Sequence, residues 1–330
     1  MAEQRERAPS DSLQRAASQM DLSAVATPAG RETEEVVETR VSSPGKDAWR
    51  RFSHNWAAMA SLITIILLIL MAIFAPLLHA SAPMAQNYSL LDQAPSGHHW
   101  FGTDGLGRDY YSRILYGLRV PLLVGIIGAV VTVILGTLLG ALSGFLGGII
   151  DSLLSRFTDL MFAFPGFTLA LIVMSLFGPA LDPYFAGAGR LMMLILVFAV
   201  VGWPGLMRFV RSLALSMREQ QFIEAARTSG TGTWGILRKH LMPNMYGVIL
   251  VQASFIVVSF VYTEAVLSIF GLGVEPPNPD LGNMLYEGTQ HLALNYWEAI
   301  IPSIFLTIII LAFTFLGDGV RDAVDPRSNG

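Results

Sequence analysis

The sequence predicts an all-α, polytopic membrane protein with six transmembrane helices. Three observations lead there. Of the 330 residues, 53% are hydrophobic and 14% are charged, against roughly a quarter charged in soluble domains. Six apolar stretches are each long enough to cross a hydrocarbon core ~30 Å thick as a helix. Their apolar residues lie on all sides rather than alternating, which argues against the strands of a closed barrel.

The spans fall near Ala57–Leu78, Val120–Leu146, Leu160–Phe177, Leu191–Met207, Tyr246–Phe270 and Ala299–Gly317. The first resembles a signal peptide with Ala80-Ser81-Ala82 as a cleavage site. Its apolar run is too long for a signal core, however, and a long polar tail precedes it. That tail, residues 1–48, mixes Glu32, Glu34, Glu35 and Glu38 with Arg and Ser. It has too little apolar surface to offset the entropy of ordering and is expected to be a disordered cytoplasmic tail. Residues 49–119 then hold the first helix and an extracytoplasmic segment. Residues 120–325 hold five further spans, with a long polar loop at 211–245.

Basic residues near span ends set the orientation. Lys46, Arg50 and Arg51 precede the first span. Arg208, Arg211, Arg218, Arg227, Arg238 and Lys239 fill the loop between spans four and five. From Gly271 to Glu298 there is no Lys or Arg, only Glu275, Asp280, Glu287 and Glu298 among charged residues. These counts place both termini and the basic loop inside. Arg108, Arg113 and Arg119 dissent, since six spans put them outside.

Little in the chain suggests catalysis. There is no phosphate loop of the form G-x-x-x-x-G-K-[ST], and Gly105-Leu106-Gly107 lacks the third glycine of a dinucleotide fingerprint. No Cys is present and no H-E-x-x-H spacing occurs, so neither a metal site nor a catalytic residue is predicted. His98-His99 reads as part of a polar interfacial loop. A net charge of −4 gives no reason to expect nucleic-acid binding. Uphill transport would need an ion gradient or a separate ATPase.

Four features stand out within the spans and the loop. In span two, Gly128, Thr132, Gly136, Gly140, Gly144 and Gly148 recur every fourth residue. They flatten one helix face for close packing in lipid. Glu264 is the clearest ionisable residue inside a span, eighteen residues after Tyr246 and so ~27 Å along the helix. It lines a polar pathway or sits hydrated or capped at the interface. Pro165, Pro204 and Pro302 kink or stop their helices, and Trp203 suits the interfacial belt. In the loop, Phe222, Ala225, Ala226 and Ser229 fall on one narrow helical face, and Gly230 is a C-cap. Thr233 is expected to cap a second short helix through His240, ended by Pro243. Two short helices around a glycine make a compact peg for a groove on a partner, or a surface helix on lipid headgroups.

Glu224-Ala225-Ala226, then Gly230, then Leu241-Met242-Pro243, resembles the EAA loop of ABC importer permeases. Around it, Gly202-Trp203-Pro204-Gly205, Arg208 and Arg211 resemble the family's approach to that loop. Phe101-Gly102-Thr103-Asp104, Gly107-Arg108-Asp109, Ser112-Arg113, Gly117 and Arg119 resemble its outer segment. Asp151, Arg156, Asp159 and Phe164-Pro165 are similar to the third-span entry, and Phe270-Gly271-Leu272-Gly273 with Pro276-Pro277 to the segment after span five. The likeness runs from about Trp49 to Asp325 and points to the C-type permease of peptide and nickel importers. Met242 stands for the usual Leu, and Asp280-Leu281 for a common Ser-Trp.

The resemblance implies a type I ABC importer permease fold in a bacterial inner membrane. Phe222, Glu224, Ala225, Ala226, Gly230 and Pro243 would belong to the coupling segment, seated in a cytoplasmic ATPase. The implied partners are a homologous B-type permease, two ABC ATPase subunits, an extracytoplasmic substrate-binding protein and membrane lipid. No cofactor is expected in this chain, because ATP and Mg would be bound by the ATPases. The implied cargo is a dipeptide or oligopeptide, with nickel or another small solute as the rival. From another class, an ion-coupled secondary transporter would show repeated halves and midplane carboxylates, and neither is clear.

Overall fold

A computed structural model describes residues 44–79, 81–181, 183 and 188–324, and among these there is no β-strand. Most of the tail expected to be disordered therefore lies outside the described residues. Its end does not, because helix α1, Pro44–His54, starts inside the stretch assigned to the tail.

Helix α2, Trp56–Ile73, begins where Asn55 accepts hydrogen bonds from the N–H groups of Ala57 and Ala58. A separate short turn, α3 (Ala75–Leu78), follows it. The expected first span thus divides at Phe74. Residues 81–109 form loops leading to α4, Tyr110–Gly117, capped by Asp109. Helix α5, Arg119–Leu146, is the second span.

The third span is not one rod. Helix α6, Gly148–Phe162, and α7, Gly166–Leu181, meet at 75° across Pro165. Proline lacks the N–H that would continue the ladder and biases the residue before it away from helix. Helix α8, Gly189–Arg218, carries Pro204 in its interior. The short α9, Gln221–Thr228, comes next. Then α10, Thr233–Ile236, one π-helical turn at Leu237–Leu241, and α11, Met242–Ile269, form a single apolar rod. Pro243 lies in the first turn of α11, directly after the π turn, and the rod continues through it. It therefore does not close the preceding helix. The N-cap before α10 is Gly232, without a side-chain cap, so Thr233 does not serve in that role. Helix α12, Leu281–Gln290, and α13, Tyr296–Val324, complete the described residues. Among these, five helices are long and apolar enough to span a bilayer, and six spans result when the bent α6–α7 pair counts as one.

Helix α5 lies at the centre of the packing and contributes to three apolar clusters. One joins it to α2, α4, α11, α12 and α13 through Ile65, Ile114, Leu122, Val261, Leu281 and Ile309. A second, around Ala141, Leu206, Val210, Ile223, Leu237 and Met245, lies at the end bearing α9. A third joins α5 to α7 and α8 through Val124, Met174 and Phe198. Within its apolar window α8 is 56% buried, against 28% for α2, so α8 is central and α2 peripheral. Ile63, Leu67 and Leu70 of α2, with Ile127 and Ile134 of α5, face outward as a lipid-facing surface requires.

The glycine ridge lies along the α5–α8 contact. A Cβ on Gly136 would stand 2.8 Å from Leu206 Cβ, one on Gly140 would stand 2.6 Å from the Met207 carbonyl oxygen, and one on Gly144 would stand 2.6 Å from that of Arg211. Gly128 instead faces Phe260 of α11, 3.1 Å from the same constructed position. Gly148 touches nothing and begins α6. Close approach thus brings backbone against backbone, where any side chain would pry the helices apart. Trp203, expected at an interface, is buried in α8 and stacked on Phe157 with ring centroids 5.8 Å apart.

The start of α2 meets the end of α13, where Phe52, Ala58 and Ala323 cluster, and α9 lies at this same basic end of the bundle. The other end is closed by residues 81–118 against α12 and the start of α13. There Tyr110 donates to the Glu298 carbonyl at 2.6 Å, and Asn295 donates to Asp92 at 2.6 Å.

Candidate functional site

Helix α9 is held by two residues. Ile223 is fully buried and Ala226 nearly so, both packed into the cluster of Val210, Leu237, Leu241 and Met245. Phe222 is partly covered by the same cluster, while Glu224, Ala225, Arg227, Thr228 and Ser229 are exposed. The pair that anchors the helix to this chain is Ile223–Ala226; of the face formed by Phe222, Ala225, Ala226 and Ser229, Ala225 and Ser229 lie on the free side.

The helix ends as its sequence demands. Gly230 has φ +76°, a conformation in which a Cβ is costly. Gly230 N–H donates to the Arg227 carbonyl and Thr231 N–H to the Ala226 carbonyl, both at 3.0 Å. The second is the long bond that closes a left-handed helix terminus. Nothing lies within 4 Å of a Cβ placed on Gly230, so its surroundings are open. Pro243 is also exposed, just beyond the π turn.

Beside α9 is a cleft of about 580 Å³ lined by Phe145, Leu146, Arg218, Glu219, Glu224 and Arg227. The Arg227 guanidinium sits 5.5 Å from the Phe145 ring centre. Deeper in, α8 is tied to the bent span. Arg211 donates to both oxygens of Asp151, at 2.5 and 2.6 Å, and Ser143 donates to the same carboxylate. Arg208 pairs with Asp159 and lies over the Phe162 ring. A two-point guanidinium–carboxylate contact fixes angle as well as distance. The segment that carries α9 is thus bolted to α6 and braced by the glycine ridge.

The opposite end holds the dissenting arginines. Arg113 is 2% exposed and reaches Asp104 at 2.5 Å and Glu287 at 3.3 Å. Arg108 reaches Asp104 at 2.7 Å. Burial works against the Asp104 carboxylate, but Arg113, Arg108 and the N–H groups of Arg108 and Leu106 outweigh it and hold it below the usual carboxylate range. Arg119 donates to the Ala72 carbonyl at 2.8 Å and stacks on Tyr116. These cations are engaged within the fold. His99 likewise contacts Asp109 at 2.9 Å.

Glu264 is completely enclosed near this end, and its Oε1 accepts from the Ser268 hydroxyl at 2.9 Å.

Residues 136–330 match the family model described as the binding-protein-dependent transport system inner membrane component. Residues 43–95 match the N-terminal TM domain of oligopeptide transport permease C. The dipeptide transport system permease protein DppC of Bacillus subtilis is 35% identical over 283 residues, covering 86% of this chain and 85% of that protein. The oligopeptide transport system permease protein OppC of Escherichia coli is 38% identical over 296 residues, covering 89% and 94%. The glutathione transport system permease protein GsiD of Pectobacterium atrosepticum is 37% identical over 288 residues, covering 87% and 92%.

Proposed function

The chain belongs to the binding-protein-dependent transport inner membrane family, and from that premise we propose that it is a non-catalytic permease subunit of an ATP-driven peptide importer. It forms the pathway with a homologous permease in a bacterial inner membrane, with both termini and the basic end in the cytoplasm. Two ATPase subunits bind ATP and Mg and hydrolyse the nucleotide. A binding protein delivers solute to the other end. The relatives named above carry dipeptides, oligopeptides or glutathione, which favours a peptide over nickel.

The observation that carries this reading is α9, a short helix anchored on one side by Ile223 and Ala226 and exposed on the other. Glu224 and Ala225 meet the ATPase on the free side. Phe222 and Ala226 seat the helix, Gly230 sets its end, and Pro243 stands in the rod that receives the push. The bolts Arg211–Asp151 and Arg208–Asp159 pass motion of α9 into the spans. The glycine ridge keeps α5 and α8 moving together.

The test is uptake by the complete four-subunit complex in proteoliposomes containing ATP, with a dipeptide, a longer peptide and nickel compared through the cognate binding protein. The expected result is ATP-dependent peptide uptake that is lost in Gly230→Trp while membrane insertion persists. Uptake by this chain without ATPases, or full uptake by Gly230→Trp, would contradict the reading.

A further inference from the structure

On the membrane-facing side, α2 and α5 leave a groove of about 380 Å³ between them. Its walls come from one face of each helix. Ile69, Ala72 and Ile73 fall at i, i+3 and i+4 on α2, and Leu122, Leu123 and Ile126 make the facing stripe on α5. Ile73 and Leu123 are exposed on its rims. Arg119 lines the groove at the cap end, where α5 begins.

Arg119 is half-buried. Its Nε donates to the Ala72 carbonyl at 2.8 Å. That carbonyl lies in the last turn of α2, where the helix itself offers no donor. The guanidinium carbon stands 4.5 Å from the Tyr116 ring centre, which holds the plane in place. Among the described residues the two terminal nitrogens have no acceptor, and Arg119 makes no salt bridge. Other arginines of this end differ: Arg108 and Arg113 reach Asp104, and Arg190 reaches Glu275. Donors fixed at the top of a span, out of reach of any carboxylate, lie at the depth of lipid phosphodiesters. An Arg fork pairs with phosphate through two parallel N–H···O bonds.

The dimensions select the occupant. From Arg119 to Ile127 the groove follows α5 for ~12 Å at ~1.5 Å per residue. One leaflet offers ~15 Å of hydrocarbon. A volume of about 380 Å³ over that length is roughly 30 Å² in section. A helix with its side chains is at least ~10 Å across, or roughly 80 Å² in section. A helix therefore rests on the rims, whereas a single acyl chain enters.

We propose that the α2–α5 groove is a phospholipid site in the leaflet at the cap end, with one acyl chain in the groove and the phosphate on Arg119. The bound lipid fills the seam beside α2, the least buried of the five long apolar helices, and fastens it to α5.

The test uses the assembled transporter in phosphatidylcholine nanodiscs. These are doped separately with two photoactivatable lipids that share one diazirine acyl chain: a phosphatidylglycerol, and a diacylglycerol without phosphate. Peptide mass spectrometry maps the adducts. A second groove, about 470 Å³ between α12 and α13, is lined by Leu285, Ile300 and Ile304 and has no charged side chain, so it is the internal control. At 69–73 and 119–127 the phosphatidylglycerol should label about tenfold more than the diacylglycerol, as one charge-assisted hydrogen bond requires. At the control groove the two should label alike. Arg119→Gln keeps an amide donor for the Ala72 carbonyl and should bring the ratio at the first groove to unity. Leu123→Trp, on the exposed rim, should remove adducts of both lipids there. The proposal is overturned by equal labelling in the wild type, by a ratio that survives Arg119→Gln, or by adducts that persist in Leu123→Trp. It is also overturned if 69–73 and 119–127 stay unlabelled in the complex, as a partner helix lying over the groove would cause.

Discussion

At one end of the bundle Arg108 and Arg113 are buried against Asp104 and Glu287, and Tyr110, Asn295 and Trp297 stitch the loops to α13. At the other end Glu224, Ala225, Arg227 and Thr228 stand exposed on a helix of eight residues anchored through Ile223 and Ala226. Both ends are polar, but their charges serve differently. In the cap, ions are spent on one another inside the fold and fix its geometry. On α9 the charged groups stay at the surface. The comparison teaches that a high density of Arg does not tell the two ends apart. Exposure of the Arg, on a helix too small to stabilise itself, does, and under the proposed function it marks α9 as the docking surface.

Variants can break that contrast, and the largest expected effect is in the cap. Arg113→Ala leaves Asp104 buried and deprived of its closest partner, which costs about 3–5 kcal/mol. Thermal unfolding of the purified protein in detergent should show it, and an unchanged midpoint would mean the network is ornamental. Next comes the ridge between the two ends. Gly140→Leu drives a side chain into the Met207 backbone and should cost about 1–3 kcal/mol or more, whereas Gly205→Ala, with open space around it, stays within about 1 kcal/mol of wild type.

A smaller effect is expected from acid. The folded Asp104 value lies below the unfolded one, so its stabilisation is full above the unfolded value of ~3.9 and fades as pH falls through the folded value. Hydrogen exchange at residues 102–113 should therefore rise on acidification before exchange at α9 changes, and Asp104→Asn should remove that step. The smallest effect on stability is expected at the exposed helix. Glu224→Lys should shift unfolding by no more than about 0.5 kcal/mol, yet weaken ATPase binding and uncouple hydrolysis from uptake. A large loss of stability in Glu224→Lys would move this residue from the docking face into the core.

Much of this was legible in the chain. Six spans followed from apolar length, and the end of α9 from Gly230, because both signals are local. The register of α9 was not. Phe222 and Ile223 start equally regular patterns, and only the position of Val210 and Leu237 decides which one is buried. The π turn at Leu237–Leu241 joins α10 to α11 without any residue that announces it. The break at Pro165 was visible as a proline, but its 75° angle depends on how α7 packs against α8. The pairing of Arg113 with Glu287 joins residues far apart in sequence, where periodicity carries no information.

The chain contains no cysteine, so one introduced thiol reports without background. Ala225→Cys, in intact cells and in inverted membrane vesicles, places the free face of α9 directly. The account predicts that a membrane-impermeant maleimide labels it only in inverted vesicles, and that bound ATPase subunits protect it there. Labelling from the outside of intact cells, or equal labelling with and without the ATPases, would contradict it.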